Sequence, residues 1–231
     1  MRGLLFEGFE IDIDDTIWEM GLQWEYGIAR HSGSVRFFYN RLMEIEKKNP
    51  VVLDIGACVG NYSMLAKFRP DAAFYAFEPN LRVFNLLVEQ IRLNGLEDRV
   101  IPMHFGLYHK EGKKELAVHP RLTRGGSATF GEHPHKKHWD KIMVPVRKLD
   151  SFLHLWPNGV DLIKMDVEGA EWFVLRGGRT IFKIQKPPML MEYVKANCKL
   201  FGYDRKILKE TLRKWGYNHF QELNIDLWVT T

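Results

Sequence analysis

Cysteine is nearly missing from this chain. Cys58 and Cys198 are its only cysteines, and they stand far apart. That excludes a disulfide framework, leaves no metal-type Cys/His spacing, and points to a reducing, cytoplasmic setting. Long apolar runs are missing too: none approaches the roughly 20 residues needed to cross a bilayer. The opening segment, Met1–Glu10, is too acidic and too poor in apolar length for a secretory leader. Repeats and low-complexity tracts are absent. So is a dominant charge: 33 Lys and Arg against 29 Asp and Glu leave +4, too little to make nucleic acid the expected partner.

What is present is an ordinary globular composition, 45% hydrophobic and 27% charged, in a length of 231 residues that suits one domain. The charge is unevenly spread. Residues 1–25 carry seven acids against Arg2, whereas residues 109–148 carry ten Lys and Arg against four acids, with five of the nine histidines. A basic stretch of that kind is either a solvated face or a surface for an anionic partner.

The most informative segment is Val51–Tyr62. A β-branched apolar run, Val51–Ile55, contains Asp54 and gives way to Gly56 and Gly60. This reads as strand, tight turn, helix, with glycines that let a backbone pass close to a ligand. A second apolar run, Ala72–Phe77, ends at Glu78. An acid at the tip of the second strand of a βαβ unit suits the two hydroxyls of a ribose. The pair predicts a nucleoside-containing cofactor. A nicotinamide dinucleotide is disfavoured, because Cys58 stands where G-x-G-x-x-G needs its middle glycine.

Periodicity supplies the rest of the frame. Phe9, Ile11 and Ile13 alternate with acids as in a half-buried strand. Thr16 and Glu19 form a capping box for a helix bearing Trp18, Leu22, Tyr26 and Ala29. Ser34 is placed to cap a second helix with Val35, Phe38, Leu42 and Ile45 inward. Residues 1–48 therefore read as an N-terminal cap on the sheet or over its cleft, and 49–231 as the core. In the core, strands are expected at 51–55, 73–77, 100–105, 161–166 and 188–193. Helices are expected at 61–68, 81–94 (with Gly95 after its end), 170–176 and 204–215, the last capped by Asp204. Two more short strands are expected in 217–230. Alternation of this kind predicts an α/β fold, a mainly parallel sheet with helices on both faces. Ligands then sit at the carboxyl ends of the strands, where Asp54, Glu78, Gly106, Asp166 and Glu192 fall. Residues 109–148 break the alternation, with strands at 114–118 and 142–147 around a Gly/His/Lys-rich stretch.

Several motifs occur in order: Asp54-Ile-Gly-Ala-Cys-Val-Gly-Asn-Tyr62, Phe77-Glu-Pro-Asn80, Leu93-Asn-Gly95, Gly106-Leu-Tyr108, Gly126-Ser127, Lys148-Leu-Asp150, Asp161-Leu-Ile-Lys-Met-Asp-Val-Glu-Gly-Ala-Glu171 and Glu192. In these the chain resembles the FkbM family of S-adenosylmethionine-dependent methyltransferases, from about residue 50 to about 217. One departure is Cys58, where the family usually has Asn. The resemblance implies a Rossmann-like class I methyltransferase fold and O-methylation of a sugar, glycan or other small molecule.

The same resemblance assigns roles. Gly56, Ala57, Cys58, Gly60, Asn61 and Tyr62 form the loop around the methionine end of the cofactor, and Asp54 accepts from its ammonium, directly or through water. Glu78, with Pro79 and Asn80, holds the ribose. Gly106 and Leu107 border the adenine. Lys164, Asp166 and Glu168 share one face of an extended segment, and Glu192 faces them. Asp166 also borders the cofactor. These carboxylates either hold a divalent ion such as Mg or Mn, with Asp166 and Glu192 as ligands, or include the general base. His31, His104 and His109 are the histidines nearest the expected cleft, with His109 the candidate proton acceptor; His133, His135 and His138 read as a basic loop. The 109–148 segment is expected to form a substrate lid, hinged at Gly125 and Gly126, with Ser127, Thr129 and Trp139 toward a polyhydroxylated ring. Two rivals remain: an RNA ribose methyltransferase and a cofactor-binding module without turnover.

Overall fold

The computed structural model describes residues 2–6, 9–13, 32–119, 128–131 and 138–231. The helix expected from Thr16, His31, the hinge at Gly125 and Gly126, Ser127, His133 and His135 lie outside the described residues.

A seven-stranded sheet forms the centre. Its strands are β3 (Val51–Ile55), β4 (Ala73–Phe77), β5 (Val100–Met103), β9 (Leu162–Met165), β10 (Met189–Glu192), β11 (His219–Leu223) and β12 (Asp226–Thr230), in the order β11-β12-β10-β9-β3-β4-β5. β3, β4, β5, β9 and β10 run parallel. β12 enters antiparallel between β10 and β11. The inner strands are short, apolar and buried on both faces, as Val52, Leu53, Ile55, Ile163 and Met165 illustrate, which is how helix-covered parallel strands read. The chain leaves β3 toward β4 and β5, then returns to add β9 on its other side. The point of reversal lies between the carboxyl ends of β3 and β9, where such sheets open a crevice. The α/β architecture that the sequence predicts, a mainly parallel sheet flanked by helices, is what forms.

Helices flank the sheet. α1 (Ser32–Met43) buries Val35, Phe38 and Leu42, with the Phe38 ring edge-on to Tyr62 at 5.2 Å. Each of these side chains contributes roughly 1.5–3 kcal/mol by leaving water, so α1 is part of the core. Ser34 does not cap it. The helix begins earlier, and the Ser34 hydroxyl donates instead to Asp226 Oδ2 at 2.5 Å. β1 (Arg2–Phe6) and β2 (Phe9–Asp12) form a separate hairpin. It is tied to α2 (Leu81–Leu93) by Asn94, whose amide donates to the Asp12 carbonyl at 2.8 Å.

The element boundaries depart from expectation in instructive places. Residues 63–67 form a 3₁₀ turn, not an α-helix over 61–68. Ser63, Met64, Leu65 and Ala66 are all buried, so packing on every side fixes the segment instead of one amphipathic face. α3 (Glu171–Gly177) and α5 (Lys206–Lys214) match the expected helices within a few residues. Asp204 does accept from the Lys206 amide, at 2.9 Å. A six-residue helix, α4 (Lys195–Leu200), fills what read as a loop. The insertion is a second small sheet: β6 (Gly106–Leu107) beside the long hairpin of β7 (Gly112–Val118) and β8 (Asp140–Arg147).

Candidate active site

A cleft opens at the point where strand order reverses. Gly56, Cys58, Glu78 and Pro79 line it from the β3 and β4 ends, Gly106 and Leu107 from β6, and Asp166 and Glu168 from the β9 end. The opposite wall is Leu116, Ala128 and Phe130 of the insertion. Among the described residues none from 2–48 lines it.

The floor depends on Gly56. Its φ is +78°, and a Cβ there would lie 1.8 Å from the Asp166 carbonyl oxygen. The amides of Gly56 and Ala57 both donate to the Phe77 carbonyl, at 3.0 and 2.9 Å, which folds the loop over the sheet. Cys58 also sits in the left-handed region, φ +50°, without glycine's freedom. Gly60 serves packing: a Cβ would meet Leu87 at 2.7 Å.

Glu78 is aimed by the backbone. Oε2 accepts from the Cys58 amide at 3.1 Å and Oε1 from the Asn80 amide at 2.8 Å. The Asn80 side chain meanwhile caps α2, accepting from the Arg82 amide at 3.2 Å. Burial pushes the Glu78 carboxyl up to about 7, against the pull of those two amides and of Lys164.

Asp54 lies beneath the loop, fully buried, with Oδ2 accepting from Ser63 Oγ at 2.6 Å. Among the described residues its Oδ1 has no hydrogen-bond partner, as is true of Asn61 Oδ1. Burial raises the Asp54 pKa, while Lys164 and Ser63 oppose the rise. An orphaned buried oxygen is costly, and a ligand ammonium or a water bound to one would satisfy it. Lys164, also buried, donates to the Gly56 carbonyl at 3.2 Å, stands 3.5 Å from Asp166 Oδ2, and lies 5.1 Å from the Tyr62 ring centroid. Burial works against its charge, but Asp166, Asp54 and Asp226 outweigh burial and raise its pKa.

The loop after β9 bends sharply, with Glu168 at φ +53° and Gly169 at +98°. Glu171 shapes it, accepting from the Val167 and Gly169 amides at 3.1 and 3.3 Å; burial pushes its carboxyl up to about 7. This brings one oxygen each of Asp166, Glu168 and Glu192 within 4.8 Å of one another. Asn197, on α4, bridges them: its amide donates to both Glu192 oxygens at 3.0 Å and to Glu168 Oε2 at 3.3 Å. Burial, then the charges of Asp166, Glu171 and Glu168, lifts the Glu192 pKa well above its ordinary value. Three hard oxygens with an excess of negative charge fit a proton or a divalent cation.

Some expected residues stand elsewhere. His109 does not line the cleft; its ring packs against Tyr108 and Phe173 at 4.6 and 5.2 Å. His104 lies against Phe84 at 4.9 Å. Trp139 meets His119 edge-on at 5.2 Å. Thr129 is buried, and its hydroxyl donates to the Glu168 carbonyl at 2.9 Å, so it holds the wall to the loop after β9. His138 is exposed. Phe130 and Asn197 were not anticipated. Asn197 has no motif around it, and Phe130 follows a segment whose local composition shows only a loop.

Residues 54–218 match the family model described as the methyltransferase FkbM domain. Methyltransferase sdnD of Sordaria araneosa is 29% identical over 157 residues, 56% of this chain and 60% of its own length. The 2-O-methyltransferase NoeI of Sinorhizobium fredii is 27% identical over 190 residues, 76% of this chain and 74% of its own. The chain thus spans about 60% of sdnD, and 57% of Methyltransferase 1 of Beauveria bassiana. Among solved structures, a Staphylococcus aureus protein assigned as a caffeoyl-CoA O-methyltransferase superposes with a TM-score of 0.51 at 12% identity, covering 94% of this chain and 95% of that one. That likeness concerns the fold alone.

Proposed function

Since this chain belongs to the FkbM family of S-adenosylmethionine-dependent methyltransferases, we propose that it methylates a hydroxyl oxygen of a sugar or other small polyol. The observation that carries this is the carboxylate trio of Asp166, Glu168 and Glu192 at the lip of the cleft that Gly56 and Glu78 line. One relative's name, 2-O-methyltransferase, supports oxygen as the acceptor atom.

The cofactor, when bound, supplies an electrophilic methyl group on a sulfonium. The chain's residues do the rest. Glu78 accepts from the two ribose hydroxyls, and its orienting amides hold the carboxylate ready for them. The orphaned Oδ1 of Asp54 meets the cofactor's ammonium, directly or through a water. Gly56 keeps the loop low enough for the ligand to lie along β3. Leu107 and Phe130 form an apolar slot for the base. An acceptor hydroxyl has a high pKa and needs a proton acceptor in the transition state. The carboxylate trio supplies one, and Asn197 fixes the orientation of Glu168 and Glu192. The donor set also fits a divalent ion such as Mg or Mn, with Asp166 and Glu192 foremost, and such an ion would acidify the hydroxyl.

Calorimetric titration with S-adenosylmethionine and S-adenosylhomocysteine, with and without Mg, followed by a methyl-transfer assay on a panel of sugars, tests this. Micromolar binding of both ligands, and transfer abolished by Glu192→Gln, are the expected results. Absence of binding in well-folded protein would refute the assignment.

A further inference from the structure

The cationic side chains of the stretch that begins at residue 109 have no role in the transfer chemistry described above, yet their folded position is specific. Leu116 lines the cleft, and Lys114, two residues back on β7, shares that face of the strand. Its Nζ lies 5.0 Å from the Tyr108 ring centroid and 6.0 Å from that of Phe130, which also lines the cleft. Lys114 therefore stands at the rim.

Further cations gather there. The Tyr108 ring stacks on Phe173 at 4.8 Å, so the loop after β6 packs against α3, which carries the exposed Arg176. The Tyr108 amide donates to the Arg147 carbonyl at 2.8 Å, which sets Lys148 beside this loop, and a Cβ on Gly177 would lie 2.2 Å from the Tyr108 carbonyl oxygen and 3.3 Å from the His109 Cα, which sets Arg176 there as well; burial, then the charges of Arg176, Lys110, Lys114 and Lys148, lower the His109 pKa. The neighbouring acids face elsewhere. Glu111 is taken by Arg147 at 3.7 Å and by Ser151 at 2.5 Å, and Glu115 by Lys141 at 2.6 Å. Among the described residues, Lys110, Lys114, Lys148 and Arg176 form no ion pair, and His109 Nδ1 is buried without a hydrogen-bond partner. Cations crowded there without acidic partners repel one another, and a multiply charged anion relieves that repulsion.

We propose that this rim seats a phosphomonoester, so that the methyl acceptor is a phosphorylated sugar or polyol. Its phosphate rests on Lys114 and Arg176 beside His109, and a hydroxyl reaches inward to the carboxylates. The inward end rests on the methyl-transfer reading; the phosphate seat stands without it. The two ends have opposite charge preferences, so they also fix the direction in which the acceptor enters.

The test follows the His109 imidazole by NMR, assigned by its loss in His109→Gln, during titration with inorganic phosphate at constant ionic strength. The expected result is a rise of about half a pH unit or more in the His109 midpoint. A neutral sugar should produce none, and a sugar monophosphate should reproduce the rise. Lys114→Gln with Arg176→Gln, both at the surface, should weaken phosphate by about tenfold or more. An unmoved midpoint, or an equal rise with chloride alone, would overturn the proposal. So would a single-stranded oligonucleotide that binds with steep salt dependence while inorganic phosphate does not. Calorimetry with S-adenosylhomocysteine separates the failures: if it binds and phosphate does not, only the phosphate seat falls; if phosphate binds and it does not, only the methyltransferase reading falls.

Discussion

Glu78 offers a pH-dependent test of the cofactor site. Its carboxyl, ordinarily at 4.5, is pushed up to about 7 by burial. For an acid raised in this way, the stability conferred by the proton is full below the unfolded value and is lost as pH rises through the folded one. The gap between the two values corresponds to about 3 kcal/mol held against the ionised protein above neutrality. Ribose hydroxyls donate hydrogen bonds, so they need the ionised form and should pull the pKa back down. The ionised fraction falls about thirtyfold from about pH 8 to about pH 5.5. The Kd for S-adenosylhomocysteine should therefore weaken by up to about thirtyfold over that range. At about pH 7 binding should release about half a proton per ligand, measurable as a buffer-dependent enthalpy in calorimetry. Glu78→Gln should bind weakly and show neither effect. A flat profile with no proton release in the native protein would refute the placement of the ribose on Glu78.

Three further outcomes are expected. Gly56→Ala sets a Cβ 1.8 Å from the Asp166 carbonyl oxygen and should destabilise the fold by about 3 kcal/mol or more as well as abolish cofactor binding, read by urea denaturation and calorimetry; a variant as stable as the native chain would overturn the close approach. Lys164→Met leaves Asp54, Asp166 and Asp226 without their buried counter-charge and should cost about 3–5 kcal/mol near pH 8. Burial pushes the Asp226 carboxyl up to about 6 and raises that of Asp54, so the loss should shrink as pH falls through about 6; a pH-independent loss would contradict the charge argument. Cys58→Asn eases a left-handed backbone and should raise stability by about 0.5–1 kcal/mol, whereas Cys58→Val should lower it, both visible as shifts in Tm.

The inner strands were legible because each is a short, doubly buried apolar run, and because Asp54, Glu78 and Asp166 interrupt such runs at or near their ends; their order across the sheet was not. Amphipathic helices such as 206–214 were equally plain. The site's far wall was not legible. Thr129 donates to a carbonyl 39 residues on, and Phe130 packs over Gly106; neither contact leaves a periodic trace in its own neighbourhood. Ser34 was misleading for the same reason. Its sequence context resembles a helix cap, but its partner, Asp226, lies 192 residues away. His109 attracted a catalytic role because it follows a strand end, and only the packing of Tyr108 on Phe173 shows that its ring turns from the cleft.

The crossover that opens the cleft also governs when it can exist during folding. β3 pairs with β4 twenty-two positions on, Val51 with Ala73, but with β9 more than a hundred positions on, Val52 with Leu162. Closing the longer loop is slow in entropic terms. A nucleus of β3, β4, α2 and β5 can form from local contacts while the floor between Gly56 and Asp166 is still missing. A ligand for this cleft finds nothing to hold until late in the reaction. Its addition should slow unfolding in proportion to affinity and leave the refolding rate unchanged.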